Sequence, residues 1–195
     1  MPPLTGCFRR VLEEKVFAVF LLEGLTPNFG EFEFRMFERW LDRISSWADR
    51  DGLVHYLIGP MVDGKWMARV FRWAKSRDRW HRGAACVALI HGTRQKRFFP
   101  KIVRLSNLLV DDEDDMVQKG LGWLLRETAK YAPERTVTLL LKIRARAPRL
   151  VLRTACETLT PPLRERVLAA HSGTPAKRRR TTVPRMKPAT ARQRR

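Results

Sequence analysis

Residues 116–130 read MVQKGLGWLLRETAK. Apolar side chains recur there at helical spacing, and Tyr131-Ala132-Pro133 closes the run, so the stretch predicts a strong helix. Trp123, Arg126 and Glu127 are three or four residues apart and share a face. Gly120 and Gly122 each cost about 1 kcal/mol relative to Ala inside a helix. Glycines kept at such positions point to close approach by another backbone or a ligand.

Working outward, the same period repeats. Downstream, Pro133 suits the first turn of a helix over 134–144, and two more helices are expected over 149–159 and 162–170. Upstream, helices are expected over 11–22, 31–44, 47–58, 65–75, 80–91 and 98–109. Phe34, Phe37, Trp40, Leu41 and Ile44 form the apolar face of the second of these. Ser45 or Ser46 is the expected N-cap of the helix that starts near Trp47, and Gly59-Pro60 its expected stop. The run Gly83 to Ile90 is small and apolar, which predicts the most buried helix. Asp111 to Asp115 reads as a solvated turn ahead of a helix N-terminus, where acids suit the dipole. No stretch alternates with period two, so no sheet is expected. Helices of roughly 10 to 16 residues joined by short turns favour antiparallel pairs. A pair spacing near 35 to 40 residues suits an all-α, HEAT-like α-solenoid.

The 195 residues are enough for one domain, expected over 1–171. From Ser172 the composition turns to Pro, Thr, Lys and Arg, which predicts a disordered basic tail over 172–195. Lys plus Arg number 39 against 20 acids, a formal charge of +19. Only nine of those bases lie in the tail, so the folded body is basic in its own right and suits a polyanion. Cys7, Cys86 and Cys156 form no CxxC pair, which argues against a disulfide framework and for a reducing, cytoplasmic setting. His55, His81, His91 and His171 lack metal-ligand spacing, so no metal and no cofactor are expected. No apolar run reaches membrane-span length, and no signal peptide is read at the N-terminus.

Two constellations carry chemistry. Trp47 and Asp51 lie one turn apart on one helix face, and Trp123, Arg126 and Glu127 share another. Each has a plainer reading. A helical Trp is usually core, a lone Asp a solvated or capping carboxylate, and Arg126–Glu127 a surface pair of small value.

Four segments resemble the AlkD-type DNA alkylation repair enzymes, in that family's order and at about its spacing. They are SSWADRDGLVHYLIG (45–59), RWHRGAACVALI (79–90), DDEDDMVQKGLGWLLRETAK (111–130) and PRLVLRTACETL (148–159). The resemblance spans roughly 14–171, and VQKGLGWLLRE is its most specific block. It implies a basic DNA-binding face and metal-free hydrolysis of the N-glycosidic bond of N3- or N7-alkylated purines. The family's paired aromatics match Trp47 and Trp123, and its catalytic carboxylate matches Asp51. Arg82, Arg126 and Lys119 are the candidate DNA-contacting cations. The implied partner is double-stranded DNA carrying alkylated purines, bound by a monomer associated with a bacterial nucleoid. There are two departures. Gly83 stands where the family usually has an Arg, with Arg82 one residue earlier and about 100° away on a helix. About 46 residues precede the Trp-Asp helix, so an N-terminal repeat is expected to be missing. The rival readings are a non-catalytic DNA-binding relative and a helical-repeat scaffold.

Overall fold

The computed structural model describes residues 12–169, all of its regular elements helical. In chain order they are α1 (Leu12–Glu23), a 3-10 turn (Thr26–Asn28) and α2 (Glu31–Leu41). Next comes α3 over 47–61, which runs as α-helix (Trp47–Asp51), π-helix (Gly52–Ile58) and α-helix (Gly59–Met61). There follow α4 (Met67–Trp73), α5 (Arg79–Val87), α6 (Ile90–Arg94), α7 (Phe99–Leu109) and α8 (Asp115–Tyr131). The series ends with α9 (Pro133–Ile143), α10 (Arg149–Ala155) and α11 (Pro161–Leu168).

Helix starts follow the local chemistry. The Ser46 hydroxyl accepts from the Asp49 N–H, and Asp78 and Asp114 accept from the N–H groups of Trp80 and Met116. Prolines occupy the first turns of α7, α9 and α11, where a missing N–H costs nothing.

Helices α1, α3, α5, α8 and α10 pack in series to form one layer, and α8 also contacts α6, α7 and α9. Phe34, Phe37, Trp40, Leu41 and Ile44 are all buried, as their spacing required. The glycines of α8 mark two close approaches. A Cβ on Gly120 would sit 3.6 Å from Gly83 Cα in α5, and one on Gly122 would sit 2.9 Å from Thr154 Cβ in α10. Gly122→Leu is therefore expected to lower stability by about 1–3 kcal/mol despite its better helix propensity. An unchanged thermal midpoint would contradict the packing of α8 on α10.

Polar ties between helices recur at one sequence step. Lys15–Asp49 spans 34 residues, Trp73–Glu38 35, Arg82–Asp112 30, Arg126–Glu157 31 and Arg146–Asp111 35. A chain in which each unit touches its neighbour produces that step, which is the solenoid's signature.

Three expectations change. Helix α3 does not stop at Gly59-Pro60 but passes through to Met61. Pro60 has no N–H to place, and the π turn, closed by the Gly59 N–H on Val54 O, absorbs the slip. The buried helix of 80–91 breaks at Ala88-Leu89 into α5 and α6. Residues Asp111 to Asp115 are a pairing hub as well as a turn: Asp111 holds Arg146, Asp112 holds Arg82, Asp114 holds Arg79 and Asp115 holds Lys119. The tail over 172–195, Cys7 and His171 lie outside the described residues.

Candidate active site

Trp47, Asp51 and His55 stand at four-residue steps along α3, and Trp123 and Glu127 one turn apart on α8. Two contacts join these helices: the His55 ring lies 5.2 Å from the Trp123 ring, and Arg50 bonds the carbonyl of Met116. His55 belongs to the π-helical segment, so the slip after Asp51 decides where that imidazole lands. The Trp123 indole lies one turn from Glu127 and helps to stabilise its carboxylate. Burial alone would raise the Glu127 carboxyl, but Lys130, Arg126 and the indole together hold it below its usual range. Beside this contact opens a cleft of about 850 Å³, lined by His55, Tyr56, His91, Arg94, Trp123 and Arg126 among others.

Trp47 is 60% exposed. That is unusual for the largest apolar side chain and removes the core-packing reading for this residue. It makes no ring contact with Trp123 among the described residues, so the two indoles are not stacked. Asp51 is partly buried, and its Oδ1 accepts from Arg50 Nε at 2.7 Å.

The predicted cations divide. Arg126 borders the cleft and bonds Glu157 at 2.8 Å. Lys119 is exposed, one turn before Trp123, and 3.1 Å from Asp115. Arg82 is drawn elsewhere. Its Nε reaches Asp112 at 2.6 Å, and its Nη1 reaches the carbonyls of Ser76 and Arg77 at 3.1 and 2.8 Å. It ties the start of α5 to the acidic turn and does not border the cleft.

Three features escaped sequence reasoning: the buried Arg50, the π-helical placement of His55, and the contact of Gly83 with Arg50. Burial is the first cause that lowers the affinity of His55 and His91 for a proton, and the nearby cations add to it. The Nδ1 of His55 is buried and without a partner. Both imidazoles titrate below the usual 6.5 in the fold. The stability this contributes is present above pH 6.5 and is lost as the pH falls through the folded values. The thermal midpoint is therefore expected to decline below about pH 6.5, and His55→Gln with His91→Gln should flatten that decline. An identical slope in the double variant would contradict it. Burial also pushes the Cys86 thiol up to about 12, so it is a neutral packing group.

The family model for DNA alkylation repair enzymes matches residues 9–159, which take in Trp47, Asp51 and Trp123. The chain belongs to that family. This DNA alkylation repair enzyme therefore has a role in DNA repair, with DNA as its substrate. No curated protein matches the chain significantly. No described helix of the repair enzyme is long and apolar enough to cross a membrane. No group of three or more potential metal ligands occurs among its described residues.

Proposed function

We propose that this repair enzyme is a DNA glycosylase that hydrolyses the N-glycosidic bond of alkylated, cationic purines in duplex DNA. The observation that carries the reading is Trp47, exposed one turn before Asp51 on the helix whose next turn meets Trp123. An N3- or N7-alkylated purine already carries positive charge and leaves readily. What the protein must supply is negative potential as the sugar becomes oxocarbenium-like, with orientation of a water. Asp51 supplies the carboxylate. Trp47 and Trp123 offer π faces to the cationic base or sugar. Arg126 and Lys119 give phosphate-facing charge at the margins. No lysine is drawn into Schiff-base chemistry, so borohydride should trap no covalent adduct.

The test is release of methylated purine from alkylated duplex DNA. Trp47→Ala is expected to lower kcat/KM about tenfold by removing the cation–π contact, with the fold intact because the side chain is exposed. Equal activity would remove Trp47 from the site.

One observation favours a second reading, a DNA binder that does not cut. The guanidinium of Arg50 offsets part of the charge of Asp51. Salt-sensitive DNA binding without base release would select that reading.

A further inference from the structure

Arg50 is 2% exposed, the bulkiest side chain so fully enclosed among the described residues. Its guanidinium makes two defined bonds. Nε donates to Asp51 Oδ1 at 2.7 Å, and Nη1 donates to the carbonyl of Met116, at the start of α8, at 3.0 Å. The second bond joins residues 66 apart. The interhelical ties described above span about half that distance along the chain, so Arg50 reaches past one whole unit of the solenoid.

The unit it passes is α5, and the passage runs by Gly83. A Cβ at 83 would overlap Arg50 Nη1 and would lie 3.2 Å from Cζ and 3.3 Å from Cδ. Both the head and the shaft of the arginine occupy the space a side chain would need. No described glycine has a positive φ, so backbone freedom is not what Gly83 supplies. Space is what it supplies, and the side chain that fills the space is Arg50.

We propose that Arg50 is a positioning residue for the reaction. It fixes the carboxylate of Asp51 through one oxygen and holds the helix of Trp47 and Asp51 in register with the helix of Trp123, and Gly83 is the gap that admits it. The inference rests on the glycosylase reading above. A buried guanidinium is costly unless well paired, and a hydrophobic residue would often pack as well. Retaining it at this point is accounted for by what it holds. Removing it also strengthens the bare field of Asp51, which opposes the loss of orientation. Orientation wins, because a displacement of about 1 Å at a reacting group costs on the order of 10²-fold.

The experiment is a double-mutant cycle on base release from methylated duplex DNA, using wild type, Gly83→Ala, Arg50→Ala and the double variant. For each, kcat, KM and the thermal midpoint are measured. Gly83→Ala and Arg50→Ala are each expected to lower kcat by about 10- to 100-fold, with KM changed less than about threefold. Adding Gly83→Ala to Arg50→Ala should lower kcat no further, since the two act on one contact. Ala should then raise the midpoint, as the better helix former with nothing left to displace. Arg50→Lys keeps the charge but cannot span both acceptors, so it should recover only part of kcat. If Arg50→Ala fails to fold, Gly83→Ala and Arg50→Lys carry the test alone. Folded variants with wild-type kcat, or effects that simply multiply in the double variant, overturn the inference while the glycosylase reading stands. Wild-type protein that releases no base overturns both.

Discussion

Asp51→Asn is expected to lower release of methylated purine from duplex DNA by about 10²–10³, with DNA affinity held or slightly increased. The substitution keeps the size of the side chain. The amide oxygen can still accept from Arg50 Nε, so the contact at 2.7 Å survives and the fold should too. What disappears is the negative charge. In the ground state that charge faces a neutral sugar, and in the transition state it faces a sugar becoming a cation, so its loss falls on kcat and not on binding. Affinity for the polyanion should not suffer, because one acidic charge has been removed from a basic surface. Matched kcat and binding measurements on one methylated duplex check both halves. A fall of less than about threefold in kcat, well short of an electrostatic term of this kind, would remove Asp51 from the chemistry.

The largest effect on stability is expected from Lys15→Met. Lys15 Nζ lies 2.7 Å from Asp49 Oδ2, and the two side chains are 7% and 2% exposed. Asp49 also accepts from the hydroxyl and N–H of Ser45, while its own N–H donates to Ser46, so the pair fastens α1 to the cap of α3. Taking away the cation leaves a buried carboxylate uncompensated, which costs about 3–5 kcal/mol. For a chain of this size that corresponds to roughly 10 °C in thermal midpoint. Replacing both partners, as in Lys15→Met with Asp49→Leu, should recover much of the loss, since no charge is then stranded.

The pH dependence follows from the same pair. Burial acts to raise the Asp49 carboxyl, but the bonds from Lys15 and Ser45 outweigh it and hold the group below 3.8. A carboxyl depressed in the folded state contributes stability above its unfolded pKa and loses it as the pH falls through the folded value. Wild type should therefore resist acid down to about pH 4 on this account. In Lys15→Met the carboxyl is no longer held down, so this contribution is already absent at neutral pH, and the stability gap to wild type should narrow as the pH falls through the folded value of Asp49. Acid titrations that superimpose would contradict the role given to the pair.

Much of this was readable in the sequence, for physical reasons. Gly120 and Gly122 stand out because glycine is expensive in a helix; both face a neighbouring helix, and at Gly122 a Cβ would not fit against Thr154. Ser46 and Pro133 were legible because cap chemistry is local. The course of α3 was not. Gly59-Pro60 has the form of a stop, yet Gly59 is needed there for room, with a Cβ falling 3.1 Å from Val54 O and 3.5 Å from His91 Cβ. The π slip that carries the chain through it leaves no mark in a pattern of period 3.6. Asp111 and Asp112 read as solvated because their partners lie 35 and 30 residues away, and only the register of the units brings them together. Arg50 was invisible for a related cause. A basic residue on a basic chain gives no sign of burial, and Gly83 showed a missing side chain without showing what had taken its place.

The most direct measurement is the release of free methylated purine when the wild-type protein meets alkylated duplex DNA, without heat or alkali. The account predicts free base in the supernatant, abasic sites left in an uncut strand, and no adduct on borohydride treatment. Absence of free base, with salt-sensitive binding to the same duplex intact, would contradict it and leave a DNA-binding member of the repair family without glycosylase chemistry.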